Sequence, residues 1–372
     1  MIEPSNVPKT GTASGTLALE ESAPGSSRPW YDPRGWSTRT KLISGTVCLA
    51  AIVGIIVGAV EGSKAGRYPD YSPLDYHLVD TYAGPSFFDQ FHYFSDEDPT
   101  DGFVKYVDAT TAQRENLTYA TDHSAILRVD ATTPHTPRGR NSVRIESKAT
   151  YDTGLFVFDI LHTPYGCGTW PALWLTDGYN WPENGEIDVL ETTNNGTDGN
   201  AVTLHTTPGC SMDVRRKQVG DVVYTTCDNS TNGNAGCGVQ GSEVTYGEAM
   251  NSIGGGVYAL ELRHAGIRAW FFPRDALPAD IANPNDSSTP PNPANWGTAL
   301  ADFPNTDCDI GSHFRNQSII ANIDLCGQLG GNPEIYTGQF NCPGHCEEFV
   351  ARNPRSFGEA YWEFRSFRVY QA

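Results

Sequence analysis

Three carboxylates crowd into one short segment, Gly185-Glu186-Ile187-Asp188-Val189-Leu190-Glu191. Neighbouring carboxylates repel, so at neutral pH at least one holds its proton more tightly than a free carboxyl does. One ionised carboxylate beside one protonated acid is the pairing that cleavage of a glycosidic bond requires. The same spacing also fits a solvated acidic strand or a calcium site, so the neighbours decide. Trp170, Trp174 and Trp181 all lie within 16 residues upstream of Glu186. Indole faces stack well on the C–H faces of sugar rings. At least one of the three is expected in the core. Trp181, between Asn180 and Pro182, reads as exposed in a cleft. His205, in Val202-Thr-Leu-His-Thr206, falls on the next strand. There it can reach a sugar hydroxyl or a carboxylate, with a structural histidine as the plainer alternative.

The element carrying the carboxylates must solve a phase problem. In a regular strand residues 186, 188 and 190 share a face, and Glu191 points the opposite way. Burying an unpaired carboxylate there would be costly. A one-residue β-bulge near Val189-Leu190 restores the phase, so that all three project from one concave face and Ile187 faces the core.

The surrounding patterns are β-like. Ser142–Ser147 alternates polar and apolar residues, and Gly154–Ile160 is apolar on both faces, as an inner strand would be. Val257–Arg263 and Ile267–Phe272 read as a hairpin turning at His264-Ala265-Gly266. Ala360–Tyr370 reads as a strand running from edge to core that closes the sheet. Residues 273–298 read as a long surface loop. The fold class expected is all-β, a concanavalin-like jelly-roll sandwich of two antiparallel sheets, preceded by a single transmembrane helix. Lectins share that architecture, so fold alone does not separate binding sugar from cutting it.

The transmembrane expectation comes from Leu42–Val60, 19 positions without a charge, enough to cross about 30 Å of hydrocarbon. A cleaved signal peptide is the alternative, but the upstream segment is long for one. Arg28, Arg34, Arg39 and Lys41 precede the run, which puts the N-terminus in the cytosol. The organisation expected is a disordered cytosolic tail (1–41), a signal-anchor (42–60), a stalk (61–81) and a catalytic domain (82–372). That is a single-pass type II protein whose large domain is extracellular or in a secretory lumen.

Residues 61–372 hold 20 basic and 40 acidic side chains. Such a surface repels phosphate backbones, which argues against a nucleic-acid partner, and it tolerates a neutral polymer. Eight cysteines follow the span: Cys167, Cys210, Cys227, Cys237, Cys308, Cys326, Cys342 and Cys346. They suit four disulfides in an oxidising compartment, with the pairing left open. Cys342-Pro-Gly-His-Cys346 lacks a second ligand pair for zinc, so no metal and no cofactor are expected. Asn116, Asn195, Asn229, Asn285 and Asn316 head N-x-[ST] sequons, all after the span.

On these residues a family resemblance becomes specific. Gly166–Asn195 resembles the active-site segment of glycoside hydrolase family 16, and most of all its fungal laminarinase-like endo-1,3(4)-β-glucanase branch. Asp98–Asp108, Ser142–Ile145, Ile319–Gly327, Glu359–Trp362 and Arg368–Gln371 match as well, so the likeness covers residues 82–371. It implies a β-jelly roll with a bent cleft and a retaining mechanism. By position, Glu186 would be the nucleophile and Glu191 the general acid/base, with Asp188 between them tuning Glu186. Trp174, Trp181 and His205 would contact sugar. The implied partner is β-glucan, cut at β-1,3 or mixed β-1,3-1,4 linkages by a monomer. A wall-remodelling transglycosylase using the same intermediate is the alternative. A non-catalytic glucan-binding protein is the third reading, weakened by the presence of both outer carboxylates. The departure from the branch is the N-terminal anchor, since its secreted members are free or surface-linked.

Overall fold

A computed structural model of the chain describes residues 31–66, 68–282 and 290–372. The expected tail up to Trp30, with Arg28, and the Asn285 sequon lie outside the described residues. The chain divides after Val60 into two units. In the first, a helix begins at Thr38, and its 21 residues Thr38–Gly58 are predominantly apolar. At 1.5 Å per residue that is about 32 Å, long and apolar enough to cross a membrane. Leu42, Ile43, Val47, Leu49 and Ile55 are exposed along it.

The second unit is built on two eight-stranded antiparallel sheets. The first runs Ala301–Pro304, Gly266–Pro273, Gly256–Arg263, Gly154–His162, Tyr361–Gln371, Ala125–Arg128 and Thr118–Ala120, with His77–Ala83 also paired to Tyr361–Gln371. The second runs Asp221–Val222, Cys237–Gln240, Ala201–His205, Glu186–Glu191, Thr169–Thr176, Gln317–Leu325, Arg144–Tyr151 and Phe91–Phe94. Between them lies the main core, where Phe156, Phe158, Leu173, Leu175, Ile187, Trp362, Phe364 and Phe367 meet. This is the jelly-roll sandwich expected.

Gly154–His162 is apolar on both faces because both are covered. Phe156 and Phe158 enter the main core, while Leu155 and Val157 enter a second cluster with Trp270, Ile281 and Trp296. That second cluster corrects the expectation of a surface loop at 273–298. Within it, Ala279–Ala282 is helical, and Ile281 and Trp296 are buried. The Trp296 indole donates to Asp280 at 2.9 Å. Tyr361–Gln371 is central in its sheet, not an edge, because its apolar residues need neighbours on both sides. The hairpin turns on two residues, His264 and Ala265, with Gly266 already paired to Arg263.

From Tyr68 onward, the segment expected as a stalk is also part of this packing. Tyr71 donates to Asp302 (3.2 Å) and Tyr76 to Glu261 (3.0 Å), and the Lys217 ammonium lies 3.9 Å from the Tyr68 ring centroid. The sheet itself begins at His77, five residues upstream of the expected boundary.

The eight cysteines form four disulfides: Cys167–Cys342, Cys210–Cys308, Cys227–Cys237 and Cys326–Cys346. Cys342 and Cys346 are each bonded elsewhere, so neither thiolate is available to zinc.

Candidate active site

Glu186–Glu191 leaves a tight turn at Gly185, whose φ is +69°. A β-carbon there would stand 2.5 Å from the His313 carbonyl oxygen and 2.7 Å from the Phe314 ring, so only glycine fits. Asp177 organises the preceding turn. It accepts from the Tyr179 amide (3.1 Å) and from the side chains of Asn180, Asn184 and Asn316 (2.8–3.0 Å). Burial works against its charge, but these donors hold the carboxyl below its usual range.

The required bulge is present. Against Thr169–Thr176, Asp188 pairs with Trp174 and Leu190 with Leu173, leaving Val189 as the extra residue. Against Ala201–His205, the register likewise shifts between Asp188 and Glu191. Ile187, Val189 and Leu190 are all fully buried in the core. Glu186, Asp188 and Glu191 therefore emerge on the other face. Asn200, also buried, bridges the distortion. Its Nδ2 donates to the Val189 carbonyl and its Oδ1 accepts from the Glu191 amide, both at 2.8 Å. Backbone groups that a bulge unpairs are thereby satisfied by one side chain.

Each outer carboxylate receives an indole N–H. Trp181 Nε1 donates to Glu186 Oε2, and Trp170 Nε1 donates to Glu191 Oε1 at 2.7 Å. Asp188, between them, is 2% exposed. His205 Nε2 approaches Asp188 Oδ2 to 3.3 Å, and its Nδ1 lies 3.0 Å from Asn234 Oδ1. Burial, then Glu186 and Glu191, push Asp188 well above the usual aspartate value. Burial likewise raises Glu191, against the pull of the Trp170 hydrogen bond and His205. For His205 burial acts downward, but Asp188 above all lifts the imidazolium to about 10. Asp188, Glu191 and His205 thus all hold protons more tightly than they would in water.

The same sheet face continues across the neighbouring strands. Trp174 Nε1 donates to Asn322 Oδ1 (2.8 Å), and Asn322 Nδ2 donates to the Tyr106 hydroxyl (3.1 Å). The Arg144 guanidinium lies 4.5 Å from the Phe94 ring centroid and 4.9 Å from that of Trp174, and pairs with Glu146 at 2.6 Å. Trp181 is 40% exposed, as its turn suggests, while Trp170 and Trp174 are partly buried. All six residues singled out in the sequence thus come together: three carboxylates, Trp174, Trp181 and His205. The sequence offered Trp170 only as one of three candidate sugar-stacking rings, and it did not assign Asn200, Arg144 or Asn322 to the site. Arg144 and Glu146 were visible as the polar phase of Ser142–Ser147. Asn200, in a turn rich in Asn and Gly, carried no signal.

The family model for an XgeA-like catalytic GH16 domain matches residues 91–370. A probable glycosidase of Schizosaccharomyces pombe is 44% identical over 309 residues, 82% of this chain and 71% of that protein. An endo-1,3(4)-beta-glucanase of Arthroderma benhamiae is 39% identical over 315 residues, 82% of this chain and 67% of that protein. Among solved structures, the GH16 laminarinase 16A of Phanerochaete chrysosporium, with β-glucans in donor and acceptor sites, is similar at a TM-score of 0.76. It is 48% identical, over 80% of this chain and 99% of that one. An elongating family 16 β-1,3-glucosyltransferase is similar at a TM-score of 0.74 and 37% identity, over 80% of this chain and all of that one. With its carboxylate face and its sandwich, the chain belongs to the XgeA-like branch of glycoside hydrolase family 16, and it is a glycoside hydrolase acting on O-glycosyl bonds.

Proposed function

We propose that the chain is a retaining endo-β-glucanase, cutting β-1,3 or mixed β-1,3-1,4 linkages by double displacement. The observation that carries the reading is the bulge at Val189, which turns Glu191 onto the face shared by Glu186 and Asp188. Glu191, lifted by burial, is the general acid. It protonates the glycosidic oxygen as Glu186 attacks the anomeric carbon, giving a glycosyl-enzyme and a free sugar hydroxyl. Glu191, now ionised, takes a proton from water as the water displaces Glu186. The Trp170 N–H fixes one Glu191 oxygen and so aims the other at the bond. Asp188 and His205 hold a reserve of protons against Glu186, and Trp174 and Trp181 supply ring faces for sugar.

A second reading has its own support, the likeness to an elongating β-1,3-glucosyltransferase. In it a sugar hydroxyl replaces water in the second step. Purified protein with laminarin and a labelled oligosaccharide acceptor tests both. Shortened products with β-anomeric ends support hydrolysis with retention, and elongated acceptors support transfer. Glu186→Gln is expected to abolish product formation and Glu191→Gln to lower it about 10²–10⁴-fold, each while preserving the fold. Full activity in either overturns the assignment.

The helix starting at Thr38, with Arg34, Arg39 and Lys41 at its N-terminal side, supports a type II anchor. Four disulfides suit a lumenal or extracellular domain acting on β-glucan as a monomer. Carbonate extraction and protease protection in microsomes check the topology, and resistance of the domain to added protease is the expected result.

A further inference from the structure

We propose that Asp324 is a positioning residue for this reaction and that it acts as a neutral acid, holding Trp170, and through it Glu191, by sharing one proton chain with Thr100 and Asp98. The inference rests on the reading of Glu191 as the general acid/base.

The geometry of one hydroxyl leads to it. Thr100 Oγ1 lies 2.6 Å from Asp98 Oδ2 and 3.0 Å from Asp324 Oδ2. A hydroxyl has a single proton and can donate to only one of two carboxylates. The second hydrogen bond exists only if one acid is protonated and donates to the hydroxyl. Asp98 Oδ2 already accepts the amides of Thr100 and Gly102, each at 2.9 Å. The proton therefore belongs to Asp324, which donates to Thr100, which donates to Asp98.

The surroundings agree. Asp324 is 3% exposed, where an ionised carboxylate is costly unless fully paired and hydrogen-bonded. The groups facing it are Asp98 and Thr100 on the opposite loop, the Tyr106 phenol and the Arg144 guanidinium, which is engaged by Glu146. Its Oδ1 accepts the Leu325 amide at 2.6 Å. Burial, then Asp98, push Asp324 up to about 8.

This acid is wedged between two chain segments. A β-carbon on Gly102 would stand 2.0 Å from Asp324 Oδ1. One on Gly327 would stand 3.0 Å from both Asp324 Oδ2 and the Trp170 ring. Asp324 also pairs with Trp170 across the sheet. The loop is strapped to the same turn by the Phe103 amide on the Leu325 carbonyl (2.7 Å) and the Gln328 amide on the Thr100 carbonyl (2.9 Å). The benzo edge of Trp170 thus rests on a turn clamped by the Asp324–Thr100–Asp98 chain, while its N–H holds Glu191 Oε1. Ionising Asp324 would set two carboxylates around one hydroxyl proton and loosen that turn.

The test uses the full chain in detergent and two substrates, laminarin and a 2,4-dinitrophenyl β-laminaribioside. The second has a leaving group that departs without a proton, so its kcat/KM does not need the acid. Asp324→Ala is expected to lower kcat/KM on laminarin on the order of tenfold to a hundredfold and to leave the dinitrophenyl substrate nearly unchanged. Asp324→Asn, which can still donate to Thr100, is expected to restore laminarin activity. Should Asp324→Ala fail to fold, Thr100→Val breaks the same chain and should show the same selective loss. Equal loss on both substrates, or a loss in Asp324→Asn matching that in Asp324→Ala, would overturn the proposal. Melting gives an independent readout. A folded-state value raised above the unfolded one, about 3.9, means stability present at low pH and lost as pH climbs through about 8. Wild type should therefore melt progressively below Asp324→Asn between pH 4 and 8, and a constant gap counts against the neutral acid. Glu191→Gln is the control for the underlying reading. If the dinitrophenyl substrate does not spare it, the acid/base assignment itself falls, and that failure is distinct from a failure at Asp324.

Discussion

Each outer carboxylate has an indole of its own, yet the two sites differ. Trp181 stands well out of the surface over Glu186, while Trp170 is tucked beside Glu191. Burial lifts Glu191 above the ordinary glutamate value of about 4.3. The high-pH limb of kcat/KM on laminarin should therefore fall above that value and belong to Glu191. Glu191→Gln should remove this limb and lower the rate about 10²–10⁴-fold, as pH–rate profiles would show. An unchanged limb would assign it to another group. His205 titrates the opposite way. Raised to about 10 by Asp188 against its burial, it contributes stability that is complete below about pH 6.5 and lost as pH climbs towards 10. His205→Gln is expected to melt below wild type at pH 6, with the gap closing by pH 10 in thermal scans. The carboxylates were legible in the sequence because residue type and crowding are themselves the chemistry. The His205 contact with Asp188 was legible only as one of several options, because it depends on strand register.

At the scale of the element, one bulge decides where Glu191 points, and Asn200 is its clamp. Asn200→Ala leaves the Val189 carbonyl and the Glu191 amide without their partner in a buried place. Each such group costs about 1–3 kcal/mol, so a melting midpoint several degrees lower is expected. Displacement of Glu191 should cost activity as well, on the order of a hundredfold. Melting and laminarin kinetics check both, and an active, equally stable variant would show that the bulge holds itself. The need for a bulge could be read from the i, i+2, i+5 spacing, because the period of a strand is two. Its clamp could not, since Asn200 reaches it only after the chain has turned back. The same limit explains the strand Tyr361–Gln371. Its alternation identified a strand, but alternation says nothing about which neighbours flank it. At 273–298 the Pro and Asn content hid the helical turn Ala279–Ala282 and the anchoring of Trp296 and Ile281.

At the scale of the molecule, the number of disulfides was legible from the even cysteine count, but the pairing was not, because partners 98 or 175 residues apart are brought together only by the fold. Cys167–Cys342 closes the longest loop. In the chain-entropy account, removing it with Cys167→Ser and Cys342→Ser together costs about 5 kcal/mol. Denaturant midpoints would measure that loss, and no shift would mean that packing alone fixes these ends. The docking of Tyr68, Tyr71 and Tyr76 likewise depended on partners distant in sequence. The central position of Tyr361–Gln371 also bears on how the domain is made. Synthesis is vectorial, and this strand is the last element of the domain to leave the ribosome. Until it arrives, Gly154–His162 and Ala125–Arg128 lack the partner that joins them. At about 5–20 residues per second, these two strands wait roughly 10–50 s with their apolar faces open. The nascent domain is therefore expected to need chaperones until that strand emerges, and a stop codon before Tyr361 is expected to yield aggregate in place of a weaker enzyme.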